Sequence, residues 1–251
     1  MNENKFDGMG KIYAQFRPSY PQEFIDYLYS GIGIGQNSIV ADIGAGTGIL
    51  TRQLLEKGSR VIAVEPNDDM RTVAQADLGG FDGFSCVGGS AENTALADRS
   101  VDFITVAQAF HWFDRQLFKA ECKRILKPGG KVVLVWNRRD EASALVREND
   151  ETNRKFCPNF KGFSGNMRGA ENGGDFGDFF MGEYEAKVFC NDLFFDEQGF
   201  IGRNLSGSYA LKADDADYPV YVAALKALFV KYSSGVRLAM PNSTHSYAGK
   251  V

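Results

Sequence analysis

Val40-Ala-Asp-Ile-Gly44-Ala-Gly46-Thr-Gly48-Ile-Leu50 decides the reading of this chain, because it places three glycines at alternate positions between a β-branched run and a helical one. Glycine is required where the backbone takes a positive φ or must let a ligand approach within contact distance. Both needs arise where a strand turns sharply into a helix beneath a nucleotide. The bare alternative is a tight strand-to-helix turn with no ligand.

Outward from this loop the chain alternates short apolar runs with amphipathic stretches, the mark of βαβ units around a parallel sheet. Strands are expected at Ser38 to Ile43, Arg60 to Val64, Phe84 to Val87, Val101 to Ala107 and Lys131 to Trp136, nearly continuous in apolarity as strands covered on both faces should be. Helical spacing runs from Ile49 to Lys57, Asp68 to Asp77 and Asp114 to Leu126, and Lys127-Pro-Gly-Gly130 is a stop before the fifth strand. A helix after Pro21 carries Phe24, Ile25 and Leu28 on one face and has Gly31 to end it.

After Trp136 the pattern changes. A charged helix (Asp140 to Lys155) leads into a glycine- and phenylalanine-rich stretch to Gly182, read as a cap. A strand from Tyr184 to Cys190, helices near Glu197 to Leu205 and Asp214 to Ser233, and a last strand near Val236 to Tyr247 follow. The division is a single domain over 1–251: an N-terminal lid in 1–37, a cofactor-binding core in 38–139, a cap inserted at 140–183, and 184–251 completing the sheet. The cap's Phe160, Phe163, Phe176, Phe179 and Phe180 are expected to face the acceptor.

The 251 residues carry 28 basic and 32 acidic side chains, a net charge of −4, which disfavours a nucleic-acid partner. Hydrophobic residues at 44% and charged ones at 24% exclude a disordered chain. No apolar stretch reaches the roughly 20 residues that span a bilayer, so no membrane association is expected. Cys86, Cys122, Cys157 and Cys190 lie far apart and the N-terminus has no apolar signal core, which reads as a reduced, cytoplasmic protein with no metal site.

Spacing also bears on the cofactor. Dinucleotide loops usually read G-x-G-x-x-G, and here the third glycine comes one position early. The next strand ends in Glu65-Pro66, about 20 residues after the loop, where a carboxylate accepts ribose hydroxyls. The loop resembles motif I of the class I S-adenosylmethionine-dependent methyltransferases, and Glu65 their second-motif acid. Gly89-Ser90-Ala91-Glu92 resembles the adenine-contacting turn, Val101 to Phe113 the fourth strand with its active-site end, and Leu126 to Gly130 the turn before strand five.

The chain is most similar to the small-molecule branch related to the trans-aconitate and ubiquinone-pathway enzymes, whose Y-x-x-x-R-P-x-Y-P segment is matched by Tyr13 to Pro21. The resemblance implies an α/β, Rossmann-like doubly wound sheet of seven strands, mostly parallel with the last antiparallel. It implies S-adenosyl-L-methionine as cofactor, held by Tyr13, Arg17, Asp42, Gly44, Ala45, Gly46, Gly48, Glu65, Pro66, Met70, Ser90, Ala91, Glu92, Gln108 and Phe110, with Arg17 near the methionine carboxylate. Arg17 reads equally as an exposed arginine before a helix.

The implied activity is methyl transfer to a small-molecule acceptor. Transfer from a sulfonium is an in-line displacement with a good leaving group, so alignment and exclusion of water suffice for most of the rate. His111, at the carboxyl end of strand four, is either a general base or a packing residue beside Trp112; Trp112 and Phe113 are candidate acceptor walls. The amino-group methylases of bases carry D/N/S-P-P-Y/F where this chain reads Ala107-Gln-Ala-Phe-His111. Two other readings stand beside the enzyme: a catalytically silent S-adenosylmethionine-binding protein, and a nicotinamide-dependent oxidoreductase.

Overall fold

The alternation of apolar side chains along the fifth strand shows how the sheet is built. In the computed structural model, which describes residues 17–162, 176–207 and 209–251, Val132, Leu134 and Trp136 enter one apolar layer while Val133 and Val135 enter another. A strand buried on both faces must be apolar at every position, which is why the run reads as continuous.

Strands β1 (Ile39–Ile43), β2 (Arg60–Val64), β3 (Phe84–Val87), β4 (Val101–Ala107) and β5 (Leu126–Arg139) pair in parallel in the order β3-β2-β1-β4-β5. β6 (Glu185–Cys190) forms the far edge. β7 (Leu193–Phe195) and β8 (Leu238–Met240) make a separate antiparallel pair, and β9 (Asn242–Gly249) runs antiparallel between β5 and β6. The expected last strand is thus two strands divided at Pro241, whose ring fixes φ and removes a ladder donor. The turn expected at Lys127 to Gly130 lies inside β5 as a bulge, with Val101 opposite Leu126 and Phe103 opposite Lys131.

Among the described residues seven α-helices flank the strands. α1 (Gln22–Tyr27) widens into a π-helical turn over Leu28–Ile32 and ends at Gly33, φ +96°, two residues beyond the glycine expected to stop it. α2 (Ile49–Glu56), α3 (Asp68–Leu78) and α4 (Arg115–Ile125) follow the expected bounds closely. Asn67 caps α3 through Met70 N–H, and Asp114 caps α4 through the N–H groups of Gln116 and Leu117. α1 and α2 bury Phe24, Leu28, Leu50 and Leu54 on one face of the sheet. α4 buries Phe118, Cys122 and Ile125 on the other.

Two expectations about the cap are corrected. Phe176, Phe179 and Phe180, expected to face the acceptor, are each 1% exposed. They fill the α4 face of the sheet, Phe179 4.8 Å from Phe110 and Phe176 stacked 5.7 Å from Trp136. That face has α4 alone over five wide strands, and the aromatic cluster supplies the missing layer. Phe163 lies outside the described residues. The second correction concerns residues 193–240, which do not complete the sheet. α5 (Ala144–Phe156), α6 (Glu197–Leu205), α7 (Tyr218–Tyr232) and β8 share a third core of Leu145, Val146, Phe200, Tyr221, Leu225 and Leu238. The cap is therefore made from two insertions, one after β5 and one between β6 and β9.

Phe179→Ala should destabilise the protein by about 3–5 kcal/mol in denaturant unfolding, the usual cost of emptying a buried aromatic site. Glu121 on α4 accepts from Arg124, at 2.8 and 2.7 Å, and from Thr94 N–H and Oγ1, at 2.9 and 2.6 Å, and these bonds, Arg124 first, pull its carboxyl down from 4.5 to about 2. Its folded value lies below its unfolded one, so its stabilisation is complete above about pH 4.5 and is lost as pH falls toward 2. Glu121→Gln should cost about 1–3 kcal/mol at pH 7 and flatten this part of the acid-unfolding curve.

Candidate cofactor and acceptor site

The glycine loop leaves β1 at Ile43 and enters α2 at Ile49. Val64 O on β2 accepts from both Gly44 N–H (2.8 Å) and Ala45 N–H (3.2 Å), so the loop's first turn is fastened to the neighbouring strand. Gly44, Gly46 and Gly48 all have positive φ (+68°, +58° and +81°). Their surroundings differ. A Cβ on Gly44 would meet Ala109 Cβ at 2.7 Å, and one on Gly48 would meet Leu78 Cδ1 at 2.5 Å, whereas one on Gly46 would meet nothing within 4 Å. The protein closes around the outer two glycines and leaves the middle one facing open space.

The side chains around that space are prepared for a polar ligand. Glu65 Oε2 accepts from Gly46 N–H at 2.9 Å and Oε1 from Asn67 N–H at 3.0 Å, leaving lone pairs on both oxygens for hydroxyl donors. Burial pushes the Glu65 carboxyl up and the two N–H donors pull it back. Thr47, 5% exposed, keeps its hydroxyl buried with no partner in the loop itself. These residues fit S-adenosylmethionine: an open backbone at Gly46, an unsatisfied hydroxyl at Thr47 and a carboxylate with spare acceptor sites at Glu65.

Not every expected contact faces the cradle. Asp42 is 1% exposed and lies beneath the loop, accepting from Thr51 Oγ1 at 2.6 Å and Thr105 Oγ1 at 2.8 Å, with burial pushing it up to about 6. It supports the loop from below. Pro66 and the buried Met70 border Glu65 at the start of α3. Ser90 and Ala91 form a turn closed by Ser90 N–H to Asn93 O (3.1 Å). Glu92 Oε1 accepts from Asp114 N–H at 2.9 Å, tying that turn to α4.

At the end of β4, Gln108 holds φ +59°, a left-handed conformation that costs a non-glycine residue about 1–3 kcal/mol and collects at functional sites. Its N–H donates to Val135 O at 2.9 Å. Phe110 is corrected from cofactor contact to core: it is 1% exposed and its ring meets those of Phe113, Phe118, Trp136, Phe176 and Phe179. His111 is half-buried with its ring 4.7 Å from Trp112, which is 42% exposed, while Phe113 borders Gly44. His245, opposite Trp136 in register, lies 2.9 Å from Ser243 Oγ and is pushed down to about 4 by burial and then by Arg138.

Tyr13 lies outside the described residues. Arg17 Nη2 donates to Ser206 O at 3.1 Å, a contact to the cap rather than to the glycine loop. Ser19 O accepts from Asn137 Nδ2 (3.4 Å) and Asn191 Nδ2 (3.3 Å), so residues 17–19 strap the end of β5 to the β6–β7 turn. A cavity of about 570 Å³ opens beside this strap, lined by Arg17, Ser19, Asn191, Phe194 and Asp196 among others. Sequence reasoning passed over Thr47, legible as a hydroxyl inside the glycine loop. Among the described residues no cluster of three His, Cys, Asp or Glu side chains could hold a metal, and no helix is long and apolar enough to cross a membrane.

With this geometry established, comparison with known proteins gives it a family. Residues 41–134 match the methyltransferase domain family. A methyltransferase of Geobacillus sp. is 30% identical over 159 residues, 60% of this chain and 74% of that protein. An uncharacterized methyltransferase of Mycobacterium tuberculosis is 45% identical over 136 residues, 54% of this chain and 53% of that protein. The match thus spans about half the length of the mycobacterial relatives. The structure of a type II methyltransferase assigned in Anaeromyxobacter dehalogenans shares the fold, with TM-score 0.67 and 23% identity over 94% of this chain and 98% of that one. This chain belongs to the class I S-adenosylmethionine-dependent methyltransferases, and S-adenosylmethionine is its cofactor.

Gly46→Val should lower S-adenosylhomocysteine affinity at least 100-fold by calorimetry, since the isopropyl group would fill the open cradle. Far-UV circular dichroism should stay native, because nothing in the protein lies within 4 Å of that position, while Tm should fall with the strain of a β-branched residue held at φ +58°, about 1–3 kcal/mol. Unchanged affinity would refute the cradle.

Proposed function

We propose that this protein is a cytoplasmic enzyme that transfers the methyl group of S-adenosylmethionine to a small-molecule acceptor. The observation that carries this reading is the contrast among the three loop glycines: two are closed by the protein's own side chains and Gly46 alone is left open. Net charge −4 and the absence of the base-methylase motif after β4 support a small acceptor over a nucleic acid. In this reading residues 38–139 hold the cofactor. The strap before them and the cap from both insertions close over the acceptor within one domain.

When bound, S-adenosylmethionine supplies a methyl group on a positively charged sulfur. The chain's own contributions follow from its side chains. Glu65 accepts from hydroxyl groups, Thr47 and the Gly46 backbone receive polar atoms in the loop, and the strained Gln108 sets the end of β4. Trp112 and Phe113 exclude water from the acceptor side. His111, half-buried at the carboxyl end of β4, takes the proton of a hydroxyl or amine acceptor at a ring nitrogen.

Calorimetric titration with S-adenosylmethionine, S-adenosylhomocysteine, NAD and NADP tests the reading. The expected outcome is binding of the two sulfur compounds at about micromolar Kd, roughly −8 kcal/mol, and no response to the nicotinamides. Transfer of a labelled methyl to an acceptor from a small-molecule screen should then fall about 10²–10⁴-fold in His111→Ala if the histidine is the base. Sulfur-compound binding without transfer to any acceptor would leave a silent binding protein.

A further inference from the structure

The face of β5 that buries Val132, Leu134 and Trp136 continues to Arg138, the next position on that face and about 7 Å of strand beyond Trp136. The antiparallel register sets what surrounds it. Arg138 stands opposite Ser243 on β9 and Trp136 opposite His245, so the four side chains share one face. Ser243 Oγ lies 2.9 Å from His245 Nε2, and the His245 ring, brought down to about 4 by burial and then by Arg138, carries no charge at neutral pH. The reacting end of β4 is adjacent. Gln108 spans this stretch of β5, its N–H donating to Val135 O at 2.9 Å and its Nε2 to Asn137 O at 3.5 Å. On the Arg138 face, the Phe110 ring lies 6.2 Å from that of Trp136, and His111 is the next residue.

Arg138 lacks a counter-ion. Its Nε and Nη2 are buried with no hydrogen-bond partner, and among the described residues no carboxylate pairs with it. Arg115, whose guanidinium lies 5.4 Å from the centroid of the Phe110 ring on this same face, is by contrast paired with Asp178 at 3.6 Å. Taking a guanidinium out of water without an acceptor is costly, and an arginine stays protonated in proteins, so the charge has to be met by an anion. The two bare nitrogens also define a shape. Nε–H and one N–H of Nη2 point in parallel from one edge of the planar group, the fork that takes two oxygens of a single carboxylate or phosphate. Trp136, 3% exposed and one same-face position earlier, adds Nε1–H, a further buried donor with no partner.

Resting on the methyltransferase reading, we propose that the acceptor carries a carboxylate or phosphate group whose oxygens bind side-on to Nε and Nη2 of Arg138, beside Ser243 and His245, while the atom to be methylated lies toward His111. The anion is the specificity handle. Arg138 selects the acceptor, and the neutral His245 ring beside it adds no second charge.

The test uses the full chain saturated with S-adenosylhomocysteine, titrated calorimetrically with sodium phosphate, sodium citrate and, as a neutral probe, glycerol, at ionic strength held constant with sodium chloride. Phosphate or citrate should bind saturably at one site and glycerol should not; the tighter of the two anions assigns the group the seat prefers. Arg138→Gln should weaken anion binding roughly tenfold or more, and Arg138→Lys, which keeps the charge and loses the fork, should recover part of it. Arg60→Gln, at the exposed start of β2, should bind as the parent does. Absence of saturable anion binding in the parent, or equal binding in Arg138→Gln and the parent, overturns the proposal. If Arg138→Gln does not fold, Arg138→Lys carries the comparison, and affinity equal to the parent's overturns the side-on seat. S-adenosylhomocysteine affinity is read separately in every protein. Its absence in the parent would overturn the methyltransferase reading, and the phosphate titration would still judge the anion seat.

Discussion

A single buried carboxylate holds the cofactor end of the molecule together. Asp42 accepts one hydroxyl from Thr51 on α2 and another from Thr105 on β4, so three elements that meet at the glycine loop are fixed to one point. With no water to compensate, each of those bonds is worth more than on the surface, and losing one strands a buried charge. Glu65 repeats the device one strand over, joining the loop backbone at Gly46 to the start of α3 at Asn67. Between the two carboxylates the loop's curvature is fixed before any ligand arrives. That preorganisation is what a site working by alignment needs.

The rest of the architecture follows from the sheet being covered on both faces. α1 and α2 cover one side; on the other, α4 is supplemented by Phe176, Phe179 and Phe180, which extend the aromatic layer around Phe110 and Trp136. An aromatic cluster does here the work of a helix, because three rings bury as much apolar surface as a short amphipathic turn. The cap is then free to be built separately, on its own core from α5, α6 and α7. It is tied to the sheet through the strap, whose Ser19 O accepts from Asn137 and Asn191 and whose Arg17 donates to Ser206 O.

Local signals carried most of the sheet and its loop. Val40 to Leu50 specified a strand, a turn and a helix by composition alone, and the runs at Arg60, Phe84 and Val101 fell where β2, β3 and β4 lie. The errors share a cause. Phe110, Phe176 and Phe179 are aromatic residues in irregular segments, where no period of 2 or 3.6 tells a pocket wall from a core. The bonds that Glu92 and Arg17 make within the protein, to Asp114 N–H and Ser206 O, join residues 22 and 189 positions apart and leave no local signal in the sequence.

By itself the sequence determined the order of strands and helices from α1 to β5, the open glycine at the centre of the loop and the carboxylate that faces it. These depend on backbone conformation and short-range spacing, which neighbouring residues dictate. Tertiary structure alone decided that residues 193–240 join α5 in a cap, that Asp42 supports the loop from beneath, and that Arg17 meets Ser206. Each of those outcomes rests on contacts between segments far apart in the chain, whose side chains converge only after the sheet has set the direction in which every strand end points.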